Sequence, residues 1–243
     1  MVIIGATQGM GRALARLASE RGDKVFILGR DQQALERCAQ DLEARSGRPV
    51  AGMALCDLRT PDGFASALDQ AHDALGRLET VIVTAGTFHA QETLENDAAL
   101  AGDLLTIDFT NTVLFCEEVR RRLLAGGGGT LCVFGSVAGD RGRKPVILYG
   151  AAKAGLAHYL EGLDHKFRSQ GLVTVCVKPG FVKTGMTAGL KPPPFAGEPE
   201  AVARRVLRAI DSGAPLVYAP GVWRWIMLVI RLLPRFVMRR IGF

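Results

Sequence analysis

In the stretch VIIGATQGMGRALARLASERG, residues 2 to 22, the hydrophobic rhythm changes at the glycines. Residues 2 to 6 form a short, continuous apolar run of the kind expected of a strand covered on both faces. From Arg12 onward Leu14, Leu17 and Ala18 recur at helical spacing, with Arg12, Arg16 and Glu20 largely off that face. Between the two lie Gly5, Gly9 and Gly11, spaced G-x-x-x-G-x-G. Glycines are needed where the chain turns sharply from strand to helix and where a pyrophosphate approaches main-chain N–H groups at a helix N-terminus. With a strand before it and an amphipathic helix after it, this loop predicts dinucleotide binding, its cradle being Gly5, Thr7, Gln8, Gly9, Met10 and Gly11.

The same alternation continues along the chain. Apolar runs at 24–29, 50–56, 80–86, 130–136 and 173–180, with a seventh at 215–221, are separated by helical patterns. Such an order predicts a single-domain doubly wound α/β fold of the Rossmann type, a seven-stranded, mostly parallel sheet with helices on both faces, over residues 1–221. The prolines of GLKPPPFAGEPE (189–200) deny a helix there and leave a stiff surface loop on the carboxyl side of the sheet, where ligands bind in such folds. After the second strand, Arg30 is placed to pair with a 2′-phosphate, which favours NADP over NAD. Asp31 would be the NAD-type ribose ligand, but its expected role is N-cap of the helix that follows.

YGAAK, residues 149 to 153, puts Tyr149 and Lys153 four apart on one helical face, and Ser136 stands thirteen residues upstream at a strand end. Carbonyl redox chemistry needs an acid–base group and a donor that polarises the carbonyl. Bringing a tyrosine from about 10 to about 7 requires roughly 4 kcal/mol, part of which a neighbouring ammonium supplies. Ser136 would be the neutral donor. His72, His89, His158 and His165 have no ligand spacing, so no metal is expected.

These motifs resemble the short-chain dehydrogenase/reductase family over nearly the whole chain. The resemblance implies that Asp57 and Leu58 of CDL contact the adenine, that Ala85 and Gly86 of TAG border the cofactor, and that Pro179, Gly180, Val182 and Thr184 of PGFVKT meet the nicotinamide end. It also implies that Tyr149 and Lys153 touch the cofactor as well as the substrate. Two positions depart from the family pattern. Thr84 replaces the usual Asn of N-A-G, and Asp108 of IDFTNT stands where a catalytic Asn holds a water leading to Lys153, Asn111 falling three residues late. The second half is similar to the branch containing decaprenylphosphoryl-2-keto-ribose reductases, implying NADPH-dependent reduction of a lipid-linked keto group. A 3-oxoacyl, ketosphinganine or steroid-like carbonyl is the alternative substrate, and a non-catalytic NADP-binding regulator the alternative from another class. The family also implies a homo-oligomer.

Of the net charge of +6 carried by the 243 residues, Arg224, Arg231, Arg235, Arg239 and Arg240 contribute five, and no acidic residue follows Asp211. Residues 1 to 211 are therefore close to neutral, at +1. The tail VWRWIMLVIRLLPRFVMRR (222–240), within the basic segment 222–243, interleaves these arginines with aliphatic and indole side chains, which favours an anionic membrane surface over nucleic acid. It is too short to span a bilayer. An interfacial helix with Trp223 and Trp225 at headgroup depth and a helix packed on the protein or on a partner subunit are both open readings. Five unpaired-looking cysteines and the absence of a secretory pattern in MVIIGA predict a reducing, cytoplasmic setting, at the membrane face if the tail binds lipid.

Overall fold

The computed structural model describes residues 1–189 and 191–242; Leu190 of the proline-rich loop and Phe243 of the tail lie outside the described residues. Seven strands, β1 (Val2–Ile4), β2 (Phe26–Gly29), β3 (Gly52–Leu55), β4 (Thr80–Val83), β5 (Gly129–Phe134), β6 (Leu172–Pro179) and β7 (Leu216–Ala219), form one sheet in the order β3-β2-β1-β4-β5-β6-β7. Every pairing is parallel. Except for β6, the strands are shorter than the apolar runs suggested. β1 stops at Ile4 because Gly5 adopts φ 89°, outside the extended region.

Alternate strand residues feed two cores. Val2 and Ile4 point to one face, against α3 (Phe64–Leu75), α6 (Asn111–Ala125) and α7 (Ile147–Phe167), while Ile3 points to the other, against α1 (Gly9–Arg21), α2 (Gln32–Ser46) and α8 (Pro199–Ser212). Helix ends follow local chemistry. Asp31 accepts a hydrogen bond from the Ala34 N–H at 2.9 Å, so it is the N-cap of α2 as the sequence suggested. Leu14 and Ala18 of α1 are buried and Leu17 is half-buried against the same core.

Two short helices, α4 (Gln91–Asn96) and α5 (Ala98–Leu105), follow β4, and a π-helical turn, Thr106–Thr110, joins α5 to α6. Such a turn inserts a residue into the helical ladder, and here it carries Asp108. Because consecutive crossovers leave β1 and β4 toward opposite faces, a crevice opens at their carboxyl ends, the topological switch point of the sheet.

The tail forms α9 (Trp223–Leu232) and α10 (Arg235–Arg240), with Pro234 between them ending the first helix. One side of α9 is internal: Met227 and Ile230 are buried, with Trp223 and Ile226, against Val137 and Tyr218. The expectation that Trp223 lies at headgroup depth does not hold, because its indole is turned inward over Gly180, where a Cβ would stand 2.1 Å from the indole nitrogen. The opposite side exposes Trp225 (63%), Leu228, Val229 and Leu232 (76%), followed by Phe236. One face of α9 is thus packed on the protein and the other is exposed and apolar.

Candidate active site

The crevice at the switch point is lined by Gly5, Thr7, Gln8, Gly9, Met10, Gly11, Arg30, Asp57, Leu58, Ala85, Gly86 and Thr184. Several observations fit a dinucleotide phosphate here. Gln8 precedes α1 without capping it, and the first turn holds no acidic residue, so the leading N–H groups are left for an anion. At Gly11 an added Cβ would come within 2.1 Å of the Gly5 carbonyl, so helix and loop approach as only glycine allows. Arg30, exposed at the far end, makes no side-chain hydrogen bond or ion pair among the described residues. Thr84 uses its hydroxyl to donate to the Ile4 carbonyl at 2.9 Å, tying β4 to β1.

An adjoining cavity contains Ser136, Tyr149 and Lys153 together with Pro179, Gly180 and Val182. Gly86, Met10 and Thr184 border both spaces, so all the sequence-predicted cofactor residues lie along one continuous track. Ser136 follows β5, and its Oγ accepts from the Ala138 N–H at 3.0 Å. Tyr149 and Lys153 fall in the first two turns of α7. The buried Lys153 ammonium lies 5.6 Å from the Tyr149 ring centre and 3.5 Å from the Phe134 carbonyl. Phe88 meets the Tyr149 ring edge-on at 5.2 Å.

Asp108 is fully buried, with 0% exposure, and its carboxylate stands 3.8 Å from the Lys153 Nζ. Oδ1 accepts from the Thr87 N–H at 2.8 Å, whereas Oδ2 is sealed from solvent with no hydrogen-bond donor. Burial pushes the Asp108 carboxyl above its ordinary range, with Lys153 and the Thr87 amide pulling it back. For Tyr149, burial raises the phenol pKa first, Lys153 lowers it, the Asp108 charge raises it, and a hydrogen bond with Ser136 lowers it. Asn111 belongs elsewhere: its amide donates to the Leu58 carbonyl at 2.6 Å and steadies the adenine-side loop. The five cysteines are all free and buried, and burial raises Cys56 to about 12 and Cys176 to about 11, which leaves them unreactive thiols.

Sequence reasoning missed much of the substrate-side wall. Phe88, Arg143, Phe181, Met186, Pro193 and Trp223 all line the cavity. Trp223 reaches it from the tail, and Nε1 donates to the Phe195 carbonyl of the proline-rich loop at 3.4 Å. The tail is held beside the site by the segment just before Tyr149. Arg141 donates to the Leu233 carbonyl at 2.8 Å and Lys144 to the Arg239 carbonyl at 2.7 Å, covering carbonyls at the ends of α9 and α10.

The family model described as short chain dehydrogenase matches residues 1–194. An uncharacterized oxidoreductase of Mycobacterium tuberculosis is 32% identical over 249 aligned positions, covering 99% of this chain and 96% of the relative. Carbonyl reductase family member 4 of Danio rerio is 29% identical, covering 87% and 90%. Among solved structures, a short-chain dehydrogenase from Sphingobium yanoikuyae in complex with NADPH superposes with a TM-score of 0.82 at 24% identity, covering 93% of this chain and 91% of that one.

Proposed function

Because this chain belongs to the short-chain dehydrogenase family of NAD(P)-dependent oxidoreductases, we propose that it reduces a lipid-borne ketone with NADPH, a polyprenylphosphoryl 2-keto-pentose being the leading substrate. NADPH, when bound, supplies the hydride. The chain's own residues handle the oxygen. The Ser136 hydroxyl donates to the carbonyl oxygen, and Tyr149 gives that oxygen its proton as the alkoxide forms. Lys153 holds positive charge beside the phenol and favours the phenolate left behind. Asp108 positions Lys153 from the far side. Preference for NADP(H) rests on Arg30, a cation without a side-chain partner among the described residues, at the end of the cofactor crevice where a 2′-phosphate would arrive.

The observation that carries the lipid reading is the double role of α9. Its Trp223 walls the cavity of Tyr149 and Lys153, while the same helix turns Trp225, Leu228, Val229 and Leu232 outward. The same tail carries Arg224, Arg231, Arg235, Arg239 and Arg240 and no acidic residue. An exposed apolar strip in a tail of net charge +5 suits an anionic bilayer surface, which would present a lipid-tethered ketone at the cavity mouth.

Cofactor oxidation by purified protein tests the reading, with a polyprenylphosphoryl 2-keto-pentose, a 3-oxoacyl thioester and a small neutral ketone in separate arms. We expect NADPH to be consumed fastest with the first. A faster 3-oxoacyl reaction would replace the substrate, and no oxidation with any carbonyl would remove the reductase assignment. Tyr149→Phe should abolish turnover yet still bind NADPH; full turnover in that variant would exclude Tyr149 as the acid.

A further inference from the structure

Lys153 accounts for one of the two cationic side chains lining the substrate-side cavity. The second, Arg143, has no part in the chemistry above. It precedes the turn Lys144–Val146 that leads into α7, six residues before Tyr149. The side chain is half-buried, and its Nε is sealed from solvent with no hydrogen-bond partner among the described residues. Elsewhere the chain neutralises its half-buried arginines, as with Arg16 against Asp41 and Arg122 against Glu118 and Asp69. Arg12 also has a sealed, unpartnered Nε, but it lies outside this cavity.

The acid nearest to Arg143 in its effect is Asp140, and that carboxylate is already engaged. It accepts from the Lys178 ammonium at 2.5 Å and from the Tyr218 hydroxyl at 2.8 Å. Burial weakens the hold of Arg143 on its proton, and Asp140 offsets this only in part. A guanidinium nevertheless remains charged in a protein, so a desolvated one needs an oxyanion. The neighbouring Arg141 and Lys144 join Arg235 and Arg239 of α10 around a shallow hollow with no acidic lining residue. Four cations outside and one unpaired guanidinium inside match a phosphate better than a single-charge carboxylate, although the planar fork of arginine accepts both.

We infer that Arg143 is the anion-recognising residue of the substrate pocket, and that the ketone reduced at Tyr149 carries a phosphate ester whose oxygens complete the Arg143 hydrogen bonds. This inference rests on the carbonyl-reductase reading and assigns to Arg143 the recognition of a phosphate that the leading substrate carries and a simple 3-oxoacyl or steroid-like ketone lacks at that place. The phosphate sits on the same molecule as the reacting carbonyl, within reach of both Ser136 and Arg143, so Arg143 acts on binding and selectivity and leaves the proton relay alone.

Arg143→Met keeps the length of the side chain and removes the charge; Arg143→Lys keeps the charge without the fork. Two soluble ketones that differ only in a phosphate ester should be compared with each protein. Arg143→Met should lose about 10- to 100-fold in kcat/KM on the phosphorylated ketone, mostly through KM, and at least several-fold less on the neutral one. Arg143→Lys should fall between. The melting temperature of Arg143→Met should not drop, since the charge it removes is unpaired. Equal losses on both ketones, or no loss on either, would overturn the inference.

Binding gives a readout that does not depend on turnover. The phosphorylated ketone, titrated calorimetrically into the Tyr149→Phe protein with cofactor present, should bind, and adding Arg143→Met should remove that binding. If the wild type reduces no ketone while this Arg143-dependent binding persists, the reductase reading fails and the phosphate site stands. If reduction proceeds while Arg143→Met changes neither binding nor selectivity, the phosphate site fails and the reductase stands. Vesicles of phosphatidylglycerol should compete with the phosphorylated ketone for the wild type and not for Arg143→Met if the phosphate belongs to a lipid headgroup; absence of competition assigns it to a soluble phosphate ester.

Discussion

Asp108 and Lys153 face each other inside the protein, where the sequence pattern of the family would place an asparagine opposite the lysine. The exchange has two consequences at the level of single groups. Burial raises the Asp108 pKa, so its proton-bound form stabilises the fold below the ordinary carboxylate value, and that contribution is lost as pH rises through the folded value. Asp108→Asn, neutral at every pH, should therefore melt higher than the wild type at neutral pH, the gap narrowing as pH falls through the raised folded value and closed below about 3.8. Thermal melts from pH 3 to 8 measure this; a gap that widens toward acid contradicts it. The second consequence is catalytic. The Asp108 charge holds the Tyr149 proton more tightly, so Asp108→Asn should move the acid limb of the pH profile for alcohol oxidation to lower pH. An unmoved limb would mean that Asp108 does not communicate with the phenol. At the other end of the crevice, Arg30→Ala should raise the KM for NADPH about tenfold while leaving NADH nearly unchanged. Equal changes for both cofactors would remove the 2′-phosphate role.

The element whose two faces matter most is α9. Removing the whole tail would mix two effects, because Met227 and Ile230 cover Val137 and Tyr218 while Trp225, Val229 and Leu232 cover nothing. Substitutions on each face separate them. Met227→Ala should cost about 2 to 5 kcal/mol of stability, read by denaturant unfolding. Trp225→Ser with Val229→Ser and Leu232→Ser should leave the melting temperature unchanged and abolish sedimentation with phosphatidylglycerol vesicles, phosphatidylcholine vesicles serving as the uncharged control. Unchanged sedimentation, or conversion of a dimer to a monomer with no vesicle binding in the wild type, would assign the face to a second copy of the chain instead. The position of α9 depends on Gly180, the only residue type that lets the Trp223 indole lie against the end of β6. An alanine there would push the indole away and open the cavity wall.

At the scale of the whole molecule, most of the fold was legible because a strand buried on both faces is a continuous apolar run, and each of the seven runs overlaps one strand, β5 and β6 beginning one residue before theirs. The glycine loop and the Tyr149–Lys153 pair were legible for a similar reason: each is a local arrangement, a turn that needs glycine and a helical i, i+4 spacing. The π-helical turn was not, since nothing in the periodicity of IDFTNT marks it, although the resemblance had already set Asp108 and not Asn111 toward Lys153. The sequence by itself determined the parallel sheet, the cofactor crevice at its switch point and the residue types available for carbonyl chemistry, because these follow from patterns a few residues long. Only the tertiary structure decided that Trp223 faces inward while Trp225 faces out, that Thr84 ties down β1, and that Arg143 lines the cavity without a counter-ion. Those outcomes depend on segments distant in sequence, such as α9 over β6, and local periodicity carries no record of what a side chain will meet across the fold.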